Sequence, residues 1–259
     1  PRATYVFTDL DRLSLWGLRL AASAYRRLRD QEVTVLNDPA RVLSRYGLLR
    51  RLYLSGINAF NAYRVEEGVI PERWPVFLRC EGDHNGPLCD LLHSMEEVHI
   101  VVAGAVARGL PLPSLLIVEF AAQPVRPGLY RKLASFRIGK ATFAHTCVHD
   151  DHWVAKAGKM GIATPELYED EFRIARDDPY AKELAAAFDI AGIDYGRVDF
   201  GLVDGKVQVY EINLNPAIQF DETHPVPIRM ESYALFKRNY LDALYRIDSP
   251  DDQGIVTIW

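Results

Sequence analysis

Gly196-Arg197-Val198-Asp199-Phe200 and, a short way downstream, Val209-Tyr210-Glu211-Ile212-Asn213-Leu214-Asn215-Pro216 decide how this chain is read. Both runs are rich in β-branched and aromatic residues, and Asp204-Gly205 between them is a turn pair. Strands are therefore expected over 195–203 and 206–213. Side chains two apart on a strand share a face. Arg197 and Asp199 then point one way, with Val198 and Phe200 opposite, and Glu211 and Asn213 share a face against Tyr210 and Ile212. Two oxygen ligands side by side on a rigid backbone suit a hard divalent cation. The plain alternative is a surface hairpin with its charges in water.

Parity tests the cation reading. Opposed residues of an antiparallel pair keep a constant index sum and lie on one face. Asp199 and Glu211 have an even sum. A two-residue turn at Asp204-Gly205 pairs Val203 with Lys206, which is odd and puts the carboxylates on opposite faces. The hairpin must therefore use an odd loop, such as Val203-Asp204-Gly205 with Gly205 left-handed, or contain a bulge.

Working outward, Thr4–Thr8 reads as a strand and Glu32–Leu36 as another. Between them Trp16, Leu20, Ala24 and Leu28 form a stripe on a helix, which makes residues 1–36 a β-α-β unit with a parallel pair. Asp38-Pro39 is expected to open a helix with Val42, Tyr46, Leu49 and Tyr53 buried and Gly56 at its end. Trp74–Arg79 is a strand running into the polar loop Glu81-Gly82-Asp83-His84-Asn85-Gly86-Pro87. Helical spacing follows through Leu91, Met95, Val98, Val102 and Ala105. Leu115–Phe120 is apolar enough to be buried on both faces. Leu133–Ile138 and Ala141–Val148 form a hairpin at Gly139-Lys140. Asp178-Pro179 opens a helix closed by Gly192, and Tyr233, Phe236, Tyr240 and Leu244 mark the last one. Residues 122–132, 148–170 and 217–228 read as loops. The softest boundary falls near residues 63–75.

The chain has 259 residues, with 30 Lys plus Arg against 35 Asp plus Glu, a net charge of −5. Such a balance is a poor match to a general nucleic-acid binder. No apolar run reaches the roughly 18 residues that a membrane span needs. Cys80, Cys89 and Cys147 are an odd set and read as free thiols, which points to a reducing, cytoplasmic setting. The N-terminus shows no signal-peptide pattern, and the chain begins at Pro1 rather than Met. His145, His149 and His152, with Cys147, Asp150 and Asp151, have a spacing that zinc can use, although a strand and a polar loop are the simpler account.

The Arg-Val-Asp-Phe strand and the Glu-Ile-Asn-Leu-Asn-Pro strand end resemble the ATP-grasp superfamily. The likeness extends upstream in the same order and covers about residues 37–216. Arg79 on its strand and Arg45, eleven residues before Gly56-Ile57, resemble the two phosphate-contacting cations, usually Lys in that family. Gly82, His84 and Gly86 lie in what resembles the glycine lid loop, and Glu119, Phe120 and Ala121 resemble the adenine hinge. The resemblance implies an α+β fold in which two lobes, 37–122 and 123–259, clasp ATP, with residues 1–36 as a short or truncated N-terminal lobe. It implies that Asp199, Glu211 and Asn213 hold magnesium, two ions in that family. It also implies that Arg197, and Arg131 at the head of another strand, steady an acyl phosphate or a substrate carboxylate, with Lys132 a further candidate. Gln219–His224 is a candidate contact for an amine. The activity implied is ligation of a small-molecule or peptide carboxylate to an amine, compatible with a homo-oligomer and needing neither nucleic acid nor membrane. A kinase-like phosphotransferase and a non-catalytic nucleotide-binding module are the rivals, the latter in view of arginine at both lysine positions.

Overall fold

The computed structural model describes residues 2–83, 85–218, 220, 223–248 and 255–256. The N-terminal unit is β1 (Tyr5–Val6), α1 (Leu15–Arg29) and β2 (Val35–Leu36), and β1 and β2 are parallel. Ser14 caps α1 by accepting from the Gly17 N–H. The buried side of α1 is Ala22, Tyr25 and Leu28, while Trp16 is 71% and Leu20 50% exposed. The expected stripe fails at its start because a four-residue step drifts about 40° round a helix, so Trp16 and Leu28 face different directions. β2 is shorter than expected because Glu32 turns the chain in the left-handed region (φ 59°).

Asn37 fastens this unit to the rest. It is fully buried and left-handed (φ 62°). Its amide nitrogen donates to the carbonyls of Phe7 and Tyr195, and its oxygen accepts from the N–H groups of Asp194 and Tyr195. Asp38 does not open a helix; its carboxylate accepts from the Ala40 N–H in a tight turn. Helix α2 (Arg45–Leu54) starts later, capped by Ser44, and buries Leu48, Leu49 and Leu52 rather than Tyr46 and Tyr53. Gly56 ends it at φ 76°.

Strands β3 (Ala62–Arg64), β4 (Val76–Cys80) and β5 (Leu115–Glu119) form an antiparallel sheet in the order β3-β5-β4. Helix α3 (Met95–Ala107) covers one face through Val98 and Ala105 against Leu78, Leu115 and Ile117. The other face, with Ala62, Leu116 and Val118, meets Leu49 of α2 and Phe60. β5 is buried along its whole length, as its apolar run required.

The larger sheet contains β6 (Tyr130–Ile138), β7 (Ala141–Ala144), β8 (Val148–Asp150), β9 (Tyr195–Val203) and β10 (Lys206–Asn213), in the order β10-β9-β6-β7 with β8 also on β6. The helices are α4 (Pro165–Asp177), α5 (Ala181–Ala191) and α6 (Pro227–Ile247). One face of the sheet packs Leu133, Val198 and Phe200 on Leu184 and Phe188 of α5, Ile174 of α4 and Leu48 and Leu52 of α2. The other packs Phe136 and Phe143 on Phe236 and Tyr240 of α6. Helix α4 begins inside the stretch 148–170 read from sequence as loop and runs beyond it; Pro165 is its first residue and Leu167, Tyr168, Ile174 and Ala175 are its buried side. No helix among the described residues is long and apolar enough to cross a membrane. Cys80, Cys89 and Cys147 are free thiols.

The β9–β10 ladder resolves the parity question. Val203 pairs with Lys206 across a two-residue turn, with Asp204 at φ 50° and Gly205 at φ 75°. Register then shifts by one between Val209 and Glu211, which places Asp199 directly opposite Glu211 and Arg197 opposite Asn213. A bulge at Tyr210, rather than an odd loop, puts the carboxylates on one face.

Candidate functional site

The bulge is built by three residues. Tyr210 is the extra residue, and its phenol donates to the Ala121 carbonyl at 3.0 Å, on the chain leaving β5. It reaches there by passing over Gly201, where a Cβ would lie 2.2 Å from the phenol oxygen. Only glycine leaves that space, so Gly201 on β9 and the bulge on β10 require each other. Burial raises the phenol pKa well above its usual range. Asn58 locks the same stretch, donating to the Val209 carbonyl and accepting from the Val209 N–H.

On the face so created, Asp199 is 1% exposed. Its Oδ1 accepts from Arg197 Nε at 2.8 Å and its Oδ2 from Lys132 Nζ at 3.0 Å. Glu211 Oε2 accepts from Arg45 Nη2 at 2.6 Å. Asn213 lines the same cleft. Across it stands Arg79 on β4, whose buried Nε has no hydrogen-bond partner among the described residues and whose Nη2 donates to the Asp83 carbonyl at 3.3 Å. Burial, then the like charge of Arg45, lowers its pKa to about 10, so it remains a cation at neutral pH. Arg45 also donates to the carbonyls of Asp83 at 2.7 Å and Glu81 at 3.3 Å. Lys156 donates to the Asn85 carbonyl, and a Cβ on Gly86 (φ 96°) would press on the Lys156 side chain at 3.0 Å. Gly82 has open space around it. The loop after β4 thus lies over the cations. His84 falls outside the described residues, as do Gln219, Asp221 and Glu222 of the suggested amine contact.

The cleft as a whole encloses about 330 Å³, and one side of it is apolar, walled by Leu49, Phe60, Phe77, Val118, Phe120 and Trp153. The Trp153 ring sits 5.0 Å from that of Phe77 and 5.5 Å from that of Phe120. Ala121 borders the same space.

The side chains of two expected site residues, both lining the cleft, are engaged in structural bonds. Glu119 borders the cleft, but its carboxylate accepts from Asn61 N–H, Tyr63 O–H, Glu72 N–H and Arg73 N–H, which ties down the chain before β4. Arg131 directs its guanidinium to Asp170 of α4 at 2.6 Å, away from Asp199. The β6 cation that reaches Asp199 is its neighbour Lys132, because Asp199 pairs with Ala134 and Lys132 lies two residues away on that face. Strand parity selects Lys132 only once the β6–β9 register is known. Lys132 is among the candidates read from sequence; Trp153, Lys156 and Tyr210 are not, since each joins the cleft through contacts distant in sequence.

The zinc spacing does not assemble: among the described residues no group of three or more His, Cys, Asp and Glu could hold a metal ion. The Cys147 thiol donates to Glu171 Oε2 at 2.9 Å, and Arg229 completes that cluster with a 2.5 Å bond to the same oxygen. His145 and His149 have buried Nε2 atoms with no partner among the described residues, and burial lowers both pKa values to about 4.

This geometry offers oxygen donors suited to a hard cation, facing buried guanidinium groups that suit phosphate oxygens, beside an apolar wall. The fold has counterparts. The D-alanine-D-alanine ligase of Coxiella burnetii is 18% identical with a TM-score of 0.52, over 90% of this chain and 65% of that one. The Bacillus anthracis D-alanine–D-alanine ligase complexed with ATP is 12% identical with a TM-score of 0.49, over 88% and 76%. An L-amino acid ligase from Bacillus licheniformis is 14% identical with a TM-score of 0.44, over 73% and 45%. The chain thus spans less than half the length of this last relative. No protein-family model and no curated protein matches the chain. The two sheets facing one cleft, with the Coxiella likeness, identify the chain as having the ATP-grasp fold, of α+β class.

Proposed function

We propose that the chain is an ATP- and magnesium-dependent ligase that joins a carboxylate to an amine through an acyl phosphate. The observation that carries this reading is the pairing of Asp199 with Glu211 on one face, opposite Arg79, whose buried Nε has no partner among the described residues. A buried guanidinium nitrogen without a partner is costly unless an acceptor arrives, and a phosphate oxygen is the fitting acceptor. The donor set fits magnesium: two carboxylates and an amide oxygen, all hard. Asp199, Glu211 and Asn213 would hold the metal, two ions by family resemblance, and the metal when bound offsets phosphate charge.

In this reading the nucleotide base lies against the apolar wall formed by Phe77, Phe120 and Trp153, bordered by Ala121, and the triphosphate runs toward Arg79 and Arg45. Gly82 and Gly86 leave the loop after β4 free to fold over it, and residues 37–122 and 123–259 are the units that close. A carboxylate is a poor electrophile because its oxygen is a poor leaving group. Phosphorylation supplies that leaving group, and the amine then displaces phosphate. Arg197, beside Asp199, holds the acyl oxygen as charge builds, and the apolar walls keep water from the acyl phosphate.

The test is substrate-dependent ADP release across pools of carboxylates and amines. Release that needs both substrates and yields an amide is the expected result, lost by about 10²-fold or more in Asp199→Asn and Glu211→Gln. A stable phosphoester from one substrate would replace the ligase with a phosphotransferase, and undiminished turnover in both variants would overturn the metal assignment.

A further inference from the structure

Each carboxylate in the cleft is already held by a cation of the chain itself. Asp199 has Arg197 and Lys132, and Glu211 has Arg45. Arg45 differs from the other two cations in what else it grips. Nη2 holds the Glu211 carboxylate on β10 at 2.6 Å, while Nη1 holds the Asp83 carbonyl at 2.7 Å and the Glu81 carbonyl at 3.3 Å. One guanidinium in the first turn of α2, with 9% of its side chain exposed, thus ties the metal-facing strand to the loop on the opposite wall. Arg79 donates to the same Asp83 carbonyl, and Lys156 to that of Asn85. The loop's own carbonyl oxygens occupy the donors that phosphate would use.

The charge balance sharpens the point. Among the described residues, Arg45, Arg79, Lys132, Lys156 and Arg197 gather around Asp199, Glu211 and Asp83, two positive charges in excess. A bare divalent cation meets that excess and finds Asp199 and Glu211 neutralised. A triphosphate meets the opposite: it is attracted, and it offers the guanidinium groups charged oxygens in place of neutral carbonyls.

We infer that Arg45 is a latch: its bond to Glu211 shuts out a bare metal ion, and a triphosphate draws its guanidinium away and so opens Glu211 to the metal that arrives with the nucleotide. This rests on the nucleotide reading above and adds that metal and nucleotide sites are coupled through one positioning residue. The coupling is reciprocal, as any binding linkage must be. It also gives a physical use to arginine at this place. A planar fork can hold a carboxylate with one nitrogen and carbonyls with the other, whereas the three donors of lysine radiate from a single atom.

Manganese binding without nucleotide, read from the free-ion electron paramagnetic resonance signal, tests this on the whole chain. Arg45→Gln should bind Mn²⁺ about tenfold or more tightly than the wild type, within the range usual for coupled sites. The gain should vanish in Arg45→Gln/Glu211→Gln, and Arg45→Lys, which keeps the charge, should show little of it. By calorimetry Arg45→Gln should bind MgADP more weakly than the wild type does. A role in folding alone would lower both affinities and never raise one. Arg45→Met reads the same quantity if the Gln variant does not give a native circular dichroism spectrum. Manganese affinity unchanged or reduced on removing the charge, or a gain that survives loss of Glu211, overturns the latch. Failure of the wild type to bind MgADP overturns the nucleotide reading, and the manganese comparison, made without nucleotide, is independent of it.

Discussion

Gly201 and Tyr210 show how much of the site turns on single atoms. The phenol oxygen occupies the place of a missing methyl group, 2.2 Å from where a Cβ would stand, and its bond to Ala121 joins the large sheet to the end of β5. Gly201→Ala should therefore destabilise the fold by about 1–3 kcal/mol, the usual cost of overpacking. Because the strain is shared with one partner, Tyr210→Phe should relieve part of it. Denaturant titration of both single variants and the double variant checks this: a coupling of about 0.5–3 kcal/mol is expected for residues in contact, and strictly additive costs would show that the two do not depend on each other. Arg131 and Lys132 carry the opposite lesson. They are adjacent cations on one strand; alternation puts them on opposite faces, and the β6–β9 register sends Lys132 to Asp199 and leaves Arg131 to Asp170.

At the scale of elements, strands with strong local signals were legible. The β9 and β10 limits, the β6–β7 turn at Gly139, the buried β5 and the parallel β1–β2 pair follow from alternation, turn residues and apolar runs. Parity required a bulge or an odd loop between Asp199 and Glu211. Where the bulge lies was not legible, because Tyr210 is placed by Gly201 across the ladder and Ala121 far upstream. Helix α4 was hidden because Glu171 interrupts its apolar stripe; the carboxylate belongs there because Cys147 and Arg229 bind it. The segment joining β7 to β8 holds His145 and adjoins His149, and it predicts a pH dependence. Both imidazoles are kept neutral by burial, with Arg197 further depressing the first and Arg131 the second, and both reach about 4 from 6.5. As pH falls below 6.5 the unfolded chain takes up these protons and the native chain does not, so stability is lost down to about pH 4. Melting temperatures across that window should fall less steeply for His149→Gln than for the wild type. Parallel slopes would show that this imidazole is not held neutral by the fold.

For the whole molecule, the order of motifs along the chain was the legible part, and the convergence of their side chains was not. Arg45, Arg79 and Glu211 come from α2, β4 and β10, and no local pattern says that the first grips the last. What brings them together is the packing of Leu48 and Leu52 of α2 on the large sheet while Leu49 packs on the small one, so that one helix serves both walls of the cleft. The central claim is that these walls bind a metal–nucleotide pair through Asp199 and Glu211. Calorimetric titration with ATP, with and without magnesium, in the wild type and in Glu211→Gln measures it most directly. Binding that tightens with magnesium in the wild type and loses that dependence in the variant is the predicted result. Magnesium-dependent ATP binding of equal strength in both, or no ATP binding by the folded wild type, would contradict it.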